Sequence, residues 1–219
     1  MTWPMQAAAF AALALLAWTH ARFPRALFAE AGEAPVARWT EPRLAAVLFA
    51  AGALLFVAFP AHAPAARFLT AALVMVLCAI VYADLRYLVI PDLYSLAILG
   101  GGVALNLAAP VARAPGGWVE MLIGAVLCGG FLGVVAWAFK RVTSVEGLGF
   151  GDVKLAAALG AMLGPQAGIW AITVSSAAGA AIGLVLQARS KTKGETLYFP
   201  YGAPLALAGA GFLMWERWS

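Results

Sequence analysis

Long apolar runs, broken by short polar intervals, recur from one end of the chain to the other. They fall near residues 3 to 19, 43 to 60, 67 to 84, 93 to 110, 118 to 139, 154 to 165, 167 to 187 and 200 to 215. A helix needs about 20 mostly apolar residues to cross the hydrocarbon core of a bilayer. Backbone groups in lipid must be satisfied internally, so spans of this kind are helices, and the period-two alternation of a membrane barrel is absent. The pattern predicts an all-α, polytopic transmembrane helix bundle of about eight spans. The sixth run is short and meets Gly164-Pro165, which makes it either a tilted half helix or a continuation into the seventh.

Composition agrees: 64% of the 219 residues are hydrophobic and 11% are charged, the balance of a protein whose partner is the lipid bilayer. Lys and Arg are retained on the cytoplasmic side of a membrane. With eight spans and the N-terminus outside, the inner loops collect Arg22, Arg25, Arg38, Arg43, Arg86, Lys140, Arg141, Lys154, Arg189, Lys191 and Lys193, and the outer face keeps Arg67, Arg113 and Arg217. The net charge of +4 therefore reads as topology, with no nucleic-acid partner implied. The first apolar run lacks a basic leader ahead of it and reads as a retained span. Cys78 and Cys128 fall inside expected spans without metal-type spacing, and His20 and His62 stand far apart, so no metal site or disulfide is expected. Ser175, Gly179 and Gly183, with Gly160 and Gly164 nearby, have the small-residue spacing that lets membrane helices approach closely.

The chemistry lies in three aspartates, Asp84, Asp92 and Asp152, the only ones in the chain, each placed where an apolar run breaks. Ionisable groups at such places mark function. Asp84 follows an uninterrupted span, so it faces the negative end of its own helix dipole; that field and partial burial both disfavour its charged form. Asp92, after Ile90-Pro91, reads as the cap of the next helix. The run Glu146-Gly147-Leu148-Gly149-Phe150-Gly151-Asp152-Val153-Lys154 is a glycine-rich loop entering an Ala-rich helix. Gly149 and Gly151 permit a tight turn and close approach of another backbone, so an extended substrate has room beside Asp152. The alternative for Asp152 is an ordinary helix cap. A phosphate-binding loop is not supported, because the Gly-x-x-x-x-Gly-Lys-Ser/Thr pattern is missing.

The positive-inside reading puts Asp84 and Asp152 on the same face. Two carboxylates brought together at a lipid-buried junction share a proton, and such a dyad activates water against a peptide carbonyl. No Ser-His or Cys-His arrangement competes for the role.

Taken in order, the Asp84 segment ending in Ile90-Pro91-Asp92, the Glu146-Gly-x-Gly-x-Gly-Asp152-x-Lys154 run, and Pro200-Tyr201-Gly202-Ala203-Pro204 before the last span resemble the type IV prepilin peptidases, membrane aspartyl proteases of the Gly-x-Gly-Asp class. The resemblance covers about residues 67 to 215. It implies a two-part chain: a transmembrane region at 1–66 with a short cysteine-free cytoplasmic loop, and a membrane aspartyl peptidase core at 67–219. It further implies that Asp84 and Asp152 are the catalytic pair, that Gly149, Gly151, Lys154 and Glu146 support the motif, and that prepilins or pseudopilins lose their leaders at the cytoplasmic face of the bacterial inner membrane. Larger members carry paired Cys-x-x-Cys motifs in a cytoplasmic domain and methylate the new N-terminus. The loop at 20 to 42 contains no cysteine, so neither that zinc domain, nor the methyltransferase activity, nor S-adenosylmethionine or any other cofactor is carried over. Two other classes stay open: a transporter, whose carboxylates belong near the bilayer midplane within an inverted repeat, and a non-catalytic assembly protein of a pilus or secretion machine.

Overall fold

The computed structural model describes residues 64–108, 117–143, 147–189 and 200–218, with isolated positions before residue 64. Apart from those positions, the first two expected spans lie outside the described residues, as do the loop at 20 to 42, both histidines and Glu146. Within them every regular element is helical: α1 (Pro64–Tyr87), α2 (Asp92–Ala108), α3 (Trp118–Thr143), α4 (Phe150–Arg189) and α5 (Gly202–Trp218). Three stretches, Ala65–Leu85, Trp118–Thr143 and Phe150–Val185, are long and apolar enough to cross a membrane, and Asp92–Ala108 and Gly202–Trp215 are shorter apolar helices. The all-helical expectation holds for these residues, whereas the count of eight spans is not reproduced within them.

The short sixth run forms the centre of the bundle. The helical run of α4 is interrupted at Gly164, with φ 79° and ψ 173°, a conformation open to glycine because it has no Cβ. Pro165 beside it has no N–H to continue the ladder. The chain doubles back at this point. A Cβ built on Gly168 would lie 3.1 Å from the Gly160 Cα, whereas eight residues of straight helix cover about 12 Å. The run is thus two antiparallel limbs, 150–163 and 165–189.

Limb 150–163 packs against α2, α3 and α5, with Leu155, Ala156, Leu159 and Met162 buried. Small residues permit the close approach. On α3, Gly124 meets Gly160 so tightly that a Cβ on either would strike the backbone of the other, and Gly129 leaves room for Ala157. On α2, Gly102 leaves room for Met162; on α5, Gly209 does so for Leu159. Asn106 Nδ2 donates to the Met162 carbonyl at 3.1 Å, supplying a donor next to the break, where the helical pattern lapses. The expected seam therefore works through Gly160 and Ser175, which is buried, while Gly183 faces open space. The outer face of α3 is apolar and exposed at Leu122, Val126 and Val134, as a surface wetted by lipid requires.

The residue pairs fix the helix directions. Gly124, Gly129 and Gly133 of α3 meet residues 160, 157 and 153, so α3 runs against limb 150–163, whereas α2 and α5 run with it. The N-termini of α2, α4 and α5 consequently share one end of the bundle with the C-terminus of α1. There α1 stops in a left-handed cap, with Leu88 at φ 55° and its N–H donated to the Asp84 carbonyl at 2.9 Å. The turn through Ile90-Pro91 then starts α2.

Candidate active site

Asp84 lies in the last turn of α1 and is 4% exposed. Its Oδ2 accepts the backbone N–H of Ala203 at 2.7 Å, and the Gly202 N–H also hydrogen-bonds to it. These amides are among the unpaired donors that open α5, so a side chain from one helix caps another. The burial expected from sequence is present, and the structure adds a partner to the negative end of α1 considered there. The carboxylate also meets the positive end of α5, where an anion is favoured.

Asp152 is in the first turn of α4 and is 8% exposed. Its Oδ2 accepts the Gly149 N–H at 3.1 Å, and its own N–H donates to the Gly149 carbonyl at 3.1 Å. The first bond is half of a capping box, with Gly149 at the cap and Asp152, three residues on, reaching back to its N–H; the second is a backbone turn, since Gly149 has no side chain to complete the motif. Asp152 is therefore not itself the cap weighed from sequence but the third helical residue, and this bond engages one of its oxygens. The other, Oδ1, faces Gly202.

Gly202 joins the two. A Cβ on it would lie 3.1 Å from Asp152 Oδ1 and 3.1 Å from Asp84 Cγ, and would strike the Ile90 side chain. Those two carboxylate atoms are thus no farther apart than twice that distance, and the groups interact electrostatically. Two parallel helix N-termini, of limb 150–163 and of α5, converge on the pair and offset part of the repulsion between like charges. Close approach is required at Gly151 as well, where a Cβ would stand 3.2 Å from Ile90 Cβ and 3.4 Å from its carbonyl oxygen. This is the backbone proximity expected of the glycine loop, although its partner is Ile90.

Asp92 opens α2, and its carboxylate turns to Lys154: Nζ stands 2.7 Å and 2.8 Å from its two oxygens. Nζ also lies 4.8 Å from the centroid of the Phe150 ring, within cation–π range. Tyr201, just before α5, brings its hydroxyl to 3.1 Å from Ser175 Oγ and 2.9 Å from Ser176 Oγ, which ties the start of α5 to the returning limb of α4. Sequence reasoning assigned no role to Tyr201, Gly202, Ala203 or Ile90. The available signal was the Pro-Tyr-Gly-Ala-Pro run opening an apolar helix. Among the described residues, no group of three or more His, Cys, Asp or Glu side chains is placed to hold a metal ion.

Residues 71–184 match the model of the type IV leader peptidase family. The chain belongs to that family. The matched segment contains both buried aspartates, and α5 lies beyond it. Among curated relatives, a prepilin leader peptidase/N-methyltransferase of Burkholderia pseudomallei is 36% identical over 177 residues, which is 81% of this chain and 54% of the relative. The protein of the same name from Aeromonas hydrophila is 39% identical over 155 residues, 67% of this chain and 50% of the relative. That from Pseudomonas aeruginosa is 37% identical over 135 residues, 60% and 44% respectively. The chain thus spans about half the length of the leader peptidases it matches. No solved structure matches it.

Proposed function

We propose that this chain is an integral-membrane aspartyl endopeptidase that removes the leader peptides of type IV prepilins or pseudopilins at the cytoplasmic face of the bacterial inner membrane. The observation that carries the reading is the meeting of Asp84 and Asp152 at Gly202, each carboxylate within 3.1 Å of the position a side chain would take there. Membership of the leader peptidase family supplies the substrate class. Among the described residues no serine, cysteine or histidine is placed between the two carboxylates, and the reading takes water as the nucleophile.

In the proposed reaction the pair holds one proton between two carboxylates. The ionised member takes a proton from water as the water oxygen attacks the scissile carbonyl carbon, and the protonated member donates to the carbonyl oxygen. Collapse of the tetrahedral intermediate breaks the C–N bond. The protonated carboxyl gives its proton to the leaving amine while the other carboxylate takes one from a hydroxyl of the intermediate, so the product carboxyl forms and the pair again holds one proton. Asp84 and Asp152 each keep a backbone donor on Oδ2, from Ala203 and from Gly149, and these bonds orient the carboxylates. Gly149 and Gly151 keep the loop tight beside them. Lys154 and Glu146 are carried as supporting positions on the motif.

The cytoplasmic placement rests on the Lys and Arg bias of the loops, with which the shared bundle end of Asp84, Asp92 and Asp152 is consistent. The decisive experiment is cleavage of a prepilin in membranes holding the wild type, Asp84→Ala, Asp92→Ala or Asp152→Ala, with mass analysis of the new N-terminus. Loss of product with Asp84→Ala and with Asp152→Ala supports the dyad, and product persisting in both removes it. The mass of the wild-type product tells whether a methyl group is added.

A further inference from the structure

Asp92 and Lys154 occupy matching places in the two segments that carry the buried aspartates. Asp92 closes the stretch that begins at Asp84, and Lys154 lies two residues past Asp152. Both are nearer solvent than the aspartates, with side chains 67% and 37% exposed. An isolated ion pair of that exposure adds little to stability. This one differs in how it is held. Lys154 Nζ reaches both Asp92 oxygens, at 2.7 Å and 2.8 Å, and its other side is turned to the Phe150 ring at 4.8 Å.

The same segments also meet at Ile90 against Gly151, where a Cβ would stand 3.2 Å from Ile90 Cβ. Ile90 also meets Gly202, the residue that the two aspartates flank. The chain from Asp84 to Asp92 is therefore anchored at both ends: Asp84 to the Ala203 N–H, and Asp92 to Lys154. The intervening turn includes Leu88 in the left-handed region at φ 55°. Release of the Asp92 end leaves the turn free to shift, and with it the distance from Asp84 to Asp152.

We infer that Asp92 and Lys154 are positioning residues, whose ion pair sets the spacing of the Asp84 and Asp152 carboxylates for catalysis without touching the substrate. The inference rests on the peptidase reading above. It differs from the helix-capping role expected for Asp92 from sequence, and it gives Lys154 a partner within the chain.

The test uses the full chain in membranes and a type IV prepilin with its leader intact. It compares the wild type with Asp92→Asn, Lys154→Met and the exchanged double variant Asp92→Lys with Lys154→Asp, and includes Asp84→Ala and Asp152→Ala as controls. Each single variant is expected to lower kcat about ten- to a hundredfold, the scale of a small misplacement of reacting groups, with KM within about twofold, as for an interaction realised in the transition state. The exchanged variant is expected to recover most of the loss, and thermal unfolding in detergent to change little. Wild-type kcat in both single variants overturns the inference. So does a rise in KM at constant kcat, which makes the residues substrate contacts, and so does failure of the exchange to restore activity. A wild type that does not cleave, or controls that do, brings down the peptidase reading itself, which separates the two failures.

Discussion

The Asp84 carboxylate accepts the backbone N–H of Ala203, 119 residues along the chain, at 2.7 Å. One side chain thus closes the ring of elements around the site, since α1 ends where α5 begins. The same carboxylate is proposed to act in catalysis, so its substitution has two separable effects. Asp84→Asn keeps an acceptor oxygen for Ala203 and is expected to leave unfolding near wild type while lowering cleavage by about a thousandfold, within the range for loss of a general acid or base. Asp84→Ala loses both, and its unfolding midpoint is expected to fall as the buried amides lose their partner. Circular dichroism melts beside cleavage rates distinguish the two.

Gly202→Ala adds one methyl group between the carboxylates and Ile90. It is expected to destabilise the protein by about 1–3 kcal/mol, the usual cost of overpacking, and to lower kcat by about a hundredfold through displacement of the dyad. Cleavage at a wild-type rate would mean that the close contact seen at Gly202 is not needed for activity.

Gly160→Ala and Gly183→Ala form a matched pair. The first methyl group has nowhere to go, because the Gly124 backbone occupies the space, and the second meets nothing. Gly160→Ala is expected to lower the thermal midpoint in detergent and to cost about 1–3 kcal/mol. Gly183→Ala is expected to be neutral or slightly stabilising, since alanine is the better helix former by up to about 1 kcal/mol.

Leu88 holds φ 55° with its side chain half exposed, and the conformation costs a residue with a Cβ about 1–2 kcal/mol. Leu88→Gly is expected to relieve part of that and raise resistance to unfolding. A lower midpoint would show that the leucine side chain is held by contacts worth more than the backbone cost.

Tyr201→Phe removes the hydroxyl shared with Ser175 and Ser176. A loss of about 1 kcal/mol is expected, the net worth of an ordinary hydrogen bond. Faster proteolysis near residue 201 than in the wild type would report the loosened start of α5.

Much of the site was legible because its signals are local. The breaks in the apolar pattern located Asp84 and Asp152, and the loop charges put them on one side. Gly149 and Gly151 announced a tight turn, and Gly164-Pro165 announced an interruption. The remainder depends on contacts distant in sequence. Nothing in the span ending at Asp84 indicates that its carboxylate caps α5, and the dipole argument for that residue considered only its own helix. Lys154 gave no sign that Asp92 is its partner. The short run at 154 to 165 looked marginal as a span, since its length was judged against a bilayer. In the bundle it is wrapped by protein on most sides, and small residues on its neighbours make that enclosure possible.

The reversal at Gly164 also makes limb length a matter of exact counting. Asp152 and Ser176 lie equally far from Gly164 along the chain, so the two limbs bring the buried carboxylate and the serine partner of Tyr201 to the same level. One residue added to either limb advances the helix by about 1.5 Å and turns everything beyond it by about 100°. The halves of the site would then no longer face each other. An insertion or deletion between 152 and 176 is therefore expected to abolish cleavage.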